Sequence, residues 1–166
     1  MNDQVDKLLD QWAEQKPEVD CSGLDVVVRV QNLAKMLRRD EDEALEKLGL
    51  KMWEYDVLAV LLRQGAPYAL PAKQLALEAL LSTGAMTNRV DRLEARQFVE
   101  REDDPEDRRS VRVRLTRQGR ELADLALDTR AELAAKQVDA LSAREKQTVA
   151  NALKKVLDAV EAEVPA

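Results

Sequence analysis

The sequence contains no histidine and a single cysteine, Cys21. The missing histidine removes the commonest metal ligand and the side chain most used for proton transfer near neutral pH. One thiol cannot close an intrachain disulfide, which agrees with a reducing compartment and an expected cytoplasmic location. Aromatic residues make up 3% of the chain, so a core must rest on Leu, Val and Ala, which suits helix packing better than a β-sandwich. Gly and Pro number 5 each among 166 residues, and neither a low-complexity linker nor an internal repeat is visible. No apolar run approaches the ~20 residues of a membrane span. The opening MNDQVDKLLD does not read as a secretory signal. With no Gly-rich phosphate loop, metal-ligand cluster or nucleophile–base pairing, nothing supports an enzyme or a cofactor.

Charge is plentiful at 35% of residues, with a net value of −6 that by itself argues against nucleic acid. Its distribution argues otherwise. Residues 82–120 carry 10 basic and 8 acidic side chains, whereas 1–81 carry 10 basic and 15 acidic and 121–166 carry 6 and 9. The run RRSVRVRLTR at 108–117 has five Arg and no acid. Attraction to phosphate is local, because salt screens charge over roughly 10 Å.

Hydrophobic spacing predicts a short amphipathic helix over 2–16, ended by Pro17, and a long one over about 23–47, ended by Gly49. Ser22 and Asp25 read as a capping box for the long helix. The RDEDE run at 39–43 reads as its solvated face. A third helix over 51–64 turns Trp53, Val57, Leu58, Leu61 and Leu62 inward. Residues 68–70 read as extended, and Pro71 suits the first turn of a brief helix over 71–79. The turn LLSTG precedes a helix over about 83–96.

The period then changes to two. Phe98 and Val99 open a strand, EDDPEDRR forms a polar turn, and Val111, Val113 and Leu115 alternate with Arg112 and Arg114. This predicts a β-hairpin with one buried and one basic face. Thr116 is placed to cap a helix over 117–139, and Ser142 with Glu145 forms a capping box for a last helix over 142–162.

Helix, short helix, turn, helix and hairpin in that order make a winged helix-turn-helix: a mainly α chain with a small β-hairpin wing and further helices. A helix fits the major groove, where its N-terminal residues reach base edges. In STGAMTNRVDRLEAR, Val90 and Leu93 can anchor the helix, leaving Ser82, Thr83, Thr87, Asn88 and Arg92 to face double-stranded DNA. At the hairpin tip, Arg108 and Arg109 can enter a minor groove, with Asp107 to brace them. The bland alternative for the strand arginines is a solvated edge.

Residues 80–122, LLSTGAMTNRVDRLEARQFVEREDDPEDRRSVRVRLTRQGREL, carry a pattern that resembles the MarR family of transcriptional regulators. The pieces are the Ser-x-Gly-x-x-Thr start, the Asn-Arg-Val-Asp-Arg-Leu-Glu helix, the DPEDRRS wing and the VRVRLT strand running into a helix. The resemblance implies a homodimeric repressor on a pseudo-palindromic operator, with recognition helices about 34 Å apart. It implies dimerisation helices within 1–48 and 117–166, flanking a DNA-binding domain over 51–116. The added N-terminal helix with its Trp, and WEYDVLAVLLRQG around Asp56, are similar to the urate-responsive PecS-like and HucR-like subgroup. That similarity implies a small anionic, urate-like ligand held by Trp12, Asp56, Arg89 and Arg101, with contact at Arg89 shifting the DNA-reading helix.

Other readings stay open. The same cationic pocket suits a carboxylate such as trans-aconitate. The resemblance also implies a redox alternative, since some relatives sense peroxides through a Cys near the start of the first long helix, where Cys21 lies, although EVDCSGLD is acidic and opposes a lowered thiol pKa. A protein-interaction module that keeps the fold without binding DNA is a further alternative.

Overall fold

The computed structural model describes residues 2–105 and 110–162. The chain divides into two compact units, Met1–Ala126 and Leu127–Ala166.

In the first unit, α1 (Gln4–Gln15) starts at Asp3, whose carboxylate accepts from the Val5 and Asp6 amides while Asp6 returns a bond to the Asp3 amide. Next comes α2 (Ser22–Glu46), and its start differs from expectation. Cys21 is the N-cap without a side-chain bond, Asp20 accepts from the Ser22 amide at 2.9 Å, and Asp25 pairs with Arg29 instead of capping. A guanidinium one turn along the helix outcompetes the backbone for that carboxylate. Arg29 also reaches back to Asp3 (2.8 Å) and Asp6 (2.6 Å), tying α1 to α2.

Gly49 ends α2 with φ +69, the left-handed conformation that favours glycine, and Leu50 there bonds back to the Leu45 carbonyl. In α3 (Met52–Leu62) Met52, Glu54, Tyr55, Val57, Leu58, Val60 and Leu61 are buried, so this helix is enclosed on nearly all sides rather than on one stripe. Asp56 is its only exposed residue.

Then follow β1 (Ala69–Pro71), α4 (Ala72–Glu78), α5 (Thr83–Ala95), β2 (Val99–Asp103) and β3 (Val111–Leu115). The strands form a three-stranded antiparallel sheet in the order β1-β3-β2. The expected hairpin thus gains a third strand: the short segment read as extended pairs Leu70 with Val113. Pro71 ends that strand as the N-cap of α4. Val113 and Leu115 are buried as their alternation predicts, whereas Val111 is 42% exposed because its register partner is Asp103, at the wing end and beyond the core.

The core joins α3, α4, α5 and the sheet through Leu58, Leu61, Leu75, Met86, Leu93 and Val113, all almost fully buried. α6 (Arg117–Gln137) adds Ala123 and Ala126 to it. Its start is capped by Thr116, whose Oγ1 accepts from the Gly119 amide at 3.0 Å and donates to the Gln97 carbonyl at 2.7 Å. The second unit holds the end of α6 and α7 (Ala143–Ala162). Its expected capping box forms: the Glu145 carboxylate accepts from the Ser142 amide at 2.8 Å, and Ser142 Oγ accepts from the Glu145 amide. No described residue of α7 is buried. Among the described residues, no helix is long and apolar enough to cross a membrane.

Candidate nucleic-acid interface

α5 is two-faced. Met86, Val90 and Leu93 are buried against the core, while Ser82, Thr83, Thr87, Asn88, Asp91 and Arg92 are exposed. Ser82 is the N-cap, its hydroxyl accepting from the Ala85 amide at 3.3 Å. The first turn carries no acid, so nothing neutralises the positive end of the helix dipole. Thr87 Oγ1 donates to the Thr83 carbonyl at 3.0 Å, which leaves its lone pairs and methyl outward. Among the described residues no carboxylate pairs with Arg92. One face therefore offers a hydroxyl, an amide and an unneutralised cation, the groups that read base edges and phosphates.

The turn into α5 is strained. Leu80 has φ +53 and is 91% exposed. Its amide bonds to the Leu77 carbonyl and that of Leu81 to the Ala76 carbonyl, a helix stop for which glycine is the usual residue. Gln97 (φ +60) plays the same part after α5.

The outer face of β3 is less free than its sequence suggests. Arg114 pairs with Glu100 at 2.7 Å and Glu102 at 3.0 Å across the β2 register, and Arg112 donates to the Ala69 carbonyl at 3.3 Å. These arginines brace the sheet. The wing-tip residues Asp107, Arg108 and Arg109 lie outside the described residues.

Of the expected ligand residues, Trp12 is 46% exposed on α1, beside a cleft of about 540 Å³ whose lining includes Leu8, Gln11, Glu14 and Gln15. Asp56 is on the exposed side of α3. Arg89, half-buried on α5, lies over the ring of Trp53 at 5.6 Å. Arg101, on β2, pairs with Asp91 and Glu94 of α5. Burial disfavours the Arg101 charge, but bonds to Asp91 and Glu94 outweigh it and hold its pKa above the ordinary arginine value. Among the described residues, Arg89 stacks on Trp53 and Arg101 pairs with Asp91 and Glu94. Cys21 is half-buried beside a cavity of about 410 Å³ that Asp20 and Asp25 also line. Among the described residues no cluster could hold a metal ion.

Two residues at this site escaped the sequence reading. Trp53, which helical spacing places on the inner side of α3, carries the Arg89 stack. Arg96, the C-cap of α5, donates to the buried Glu54 at 2.6 Å. Of the two acids of α3, Asp56 is exposed and Glu54 is buried, and the partner of Glu54 lies 42 residues away. No local signal in the sequence distinguishes the buried acid from the exposed one, so none points to its distant cation.

Comparisons with known proteins agree with this geometry. The MarR family profile matches residues 48–110. The chain is 30% identical over 129 residues to the HTH-type transcriptional regulator PecS of Dickeya dadantii (strain 3937), covering 78% of each protein. It shares its fold with the MarR family regulator AbsC from Streptomyces coelicolor, at a TM-score of 0.76, 19% identity, and coverage of 87% of this chain and 98% of that one. It is also similar to a mutant MarR from E. coli complexed with operator DNA, at a TM-score of 0.68, 26% identity, and coverage of 88% and 97%. The resemblance to the PecS-like subgroup thus holds over most of the sequence. The chain belongs to the MarR family, whose members are transcription regulators and not enzymes.

Proposed function

We propose that this DNA-binding regulator is a cytoplasmic homodimeric repressor, released from a pseudo-palindromic operator by a small anionic ligand such as urate. The observation that carries the reading is the division of α5 into a buried spine and an exposed Thr87, Asn88 and Arg92 face behind an acid-free first turn. Ser82 and Thr83 supply hydroxyls at the helix start, and Asp107, Arg108 and Arg109 are the proposed minor-groove contacts.

Dimerisation is supported by apolar surface. Val26, Val27, Val30, Leu33 and Met36 are exposed on α2, and Val149, Val156, Leu157 and Val160 on α7. Contiguous exposed apolar stripes mark an interaction surface. The segments 1–48 and 117–166 are the proposed dimerisation regions around a DNA-binding domain over 51–116.

Arg89 supports an anion site. It rests on an indole, and among the described residues no carboxylate pairs with it. Arg101 already has two carboxylates, so an anion would have to share or displace them. Trp12 and Asp56 complete the proposed set.

The test is selection of duplexes by the chain from a randomised pool, followed by sedimentation of the complex. A palindromic consensus carrying two chains per duplex is expected. A consensus without symmetry, or one chain per duplex, would reject the reading.

A further inference from the structure

We propose that Arg96 is a positioning residue for DNA recognition, fixing the register of α5 through Glu54 and the end of α2; this rests on α5 being the DNA-reading helix. Arg96 donates through Nη1 to Glu54 Oε1 at 2.6 Å and through Nη2 to the Gly49 carbonyl at 2.8 Å. Its guanidinium also lies over the Phe98 ring, 4.5 Å from the centroid. Glu54 is 4% exposed at its side chain, and its other oxygen accepts from the Lys51 amide at 2.8 Å. One planar fork therefore joins the C-terminal end of α5 to the turn after α2, the start of α3 and the root of β2.

The arrangement has a second point. Arg89 and Arg96 are seven residues apart on α5, two turns along one face. Their partners, Trp53 and Glu54, are neighbours at the start of α3. The buried residues of α5, Met86 before Arg89 and Val90 and Leu93 between the two arginines, are apolar. Apolar contact is non-directional and tolerates a small slide or rotation of the helix. A bidentate guanidinium does not, because its donors fit in one geometry.

Stability alone is a poor reason for the pair. Glu54 is buried but the Arg96 side chain is 40% exposed, and a pair with one solvent-exposed partner adds little net stability. What the pair supplies is direction: it fixes how far the exposed Thr87, Asn88 and Arg92 advance into a groove. Because Gly49 ends α2, the same link carries any movement of α2 to the DNA-reading helix.

The experiment compares wild type, Arg96→Met, Arg96→Lys and Glu54→Gln by anisotropy over a salt series, below their unfolding transitions. The probes are the duplex that wild type selects from a randomised pool and a scrambled duplex. Each variant should bind the selected duplex at least roughly fivefold more weakly, the loss of about one well-placed base contact. Binding to the scrambled duplex, and the slope of log K against log salt, should stay at wild-type values. Arg96→Lys should remain impaired, since it keeps the charge but not the fork. Should Met or Gln prevent folding, Arg96→Lys decides alone, and wild-type affinity there overturns the proposal. Unchanged selected-duplex affinity in folded variants overturns it too. So does a salt slope reduced by about one phosphate for Arg96→Met with no effect of Glu54→Gln, which makes Arg96 a direct contact. A wild type that selects no duplex overturns the DNA reading of α5, and the positioning role with it.

Discussion

Gly119 lies so close to Phe98 that a Cβ on it would sit 1.8 Å from the Phe98 carbonyl oxygen and 2.7 Å from its carbonyl carbon. The start of α6 is pressed onto the root of β2 at this point, where the Thr116 amide also bonds to the Phe98 carbonyl at 3.1 Å. The obstacle is backbone, so it cannot rotate away. Gly119→Ala should therefore cost stability at the upper end of overpacking effects, about 3 kcal/mol. Urea unfolding checks this, and a midpoint equal to wild type would show that the contact opens without penalty.

Leu80 should respond in the opposite direction. A left-handed non-glycine residue costs roughly 1–2 kcal/mol. At 91% exposure, Leu80 has almost no packing to lose. After the entropic cost of glycine, about 0.5–1 kcal/mol, Leu80→Gly should stabilise the chain or leave it unchanged. A clear fall in the thermal midpoint would contradict this.

Attachment of α1 should weaken in acid. The Asp6 amide holds the Asp3 carboxyl below its ordinary value, opposed by desolvation and helped by Arg29 and the Val5 amide. A depressed folded pKa contributes stability that is complete above the unfolded value, about 3.9, and is lost as pH falls through the folded one. Acrylamide quenching of Trp12, read in a Trp53→Phe background, should rise as pH drops below about 4. Arg29→Met should show high quenching already at neutral pH. If Arg29→Met matches the parent there, the Asp3–Arg29–Asp6 cluster does not hold α1.

Thr87 and Asn88 should set sequence preference. Thr87→Ala or Asn88→Ala should cost about 1–3 kcal/mol on a selected duplex if the lost contact is to a base, with little change on scrambled DNA. Equal losses on both would make the residue a phosphate contact.

The order of elements was legible because their periods differ. Val5, Leu8, Leu9 and Trp12 mark α1, and Val113 and Leu115 mark β3. Caps were legible where a side chain had one local partner, as at Ser142 with Glu145. At Ser22 the cap failed because Arg29 competes for Asp25. Long-range pairing left no local trace. β1 exists only because β3 lies beside it, and the partners of Arg96 and Arg101 are set by tertiary packing. For the same reason the sequence showed a basic face on β3 but not the acids of β2 that neutralise Arg114.

The most direct test of the account is fluorescence anisotropy of the chain on the duplex it selects from a randomised pool, at fixed salt, with and without urate. Wild type should bind with competitor resistance that urate weakens, and Arg89→Ala should show a blunted urate response after correction for that variant's own affinity for DNA. Binding that urate leaves unchanged would contradict the proposed ligand. Failure to bind any duplex more tightly than random DNA would contradict the reading of α5 on which the account stands.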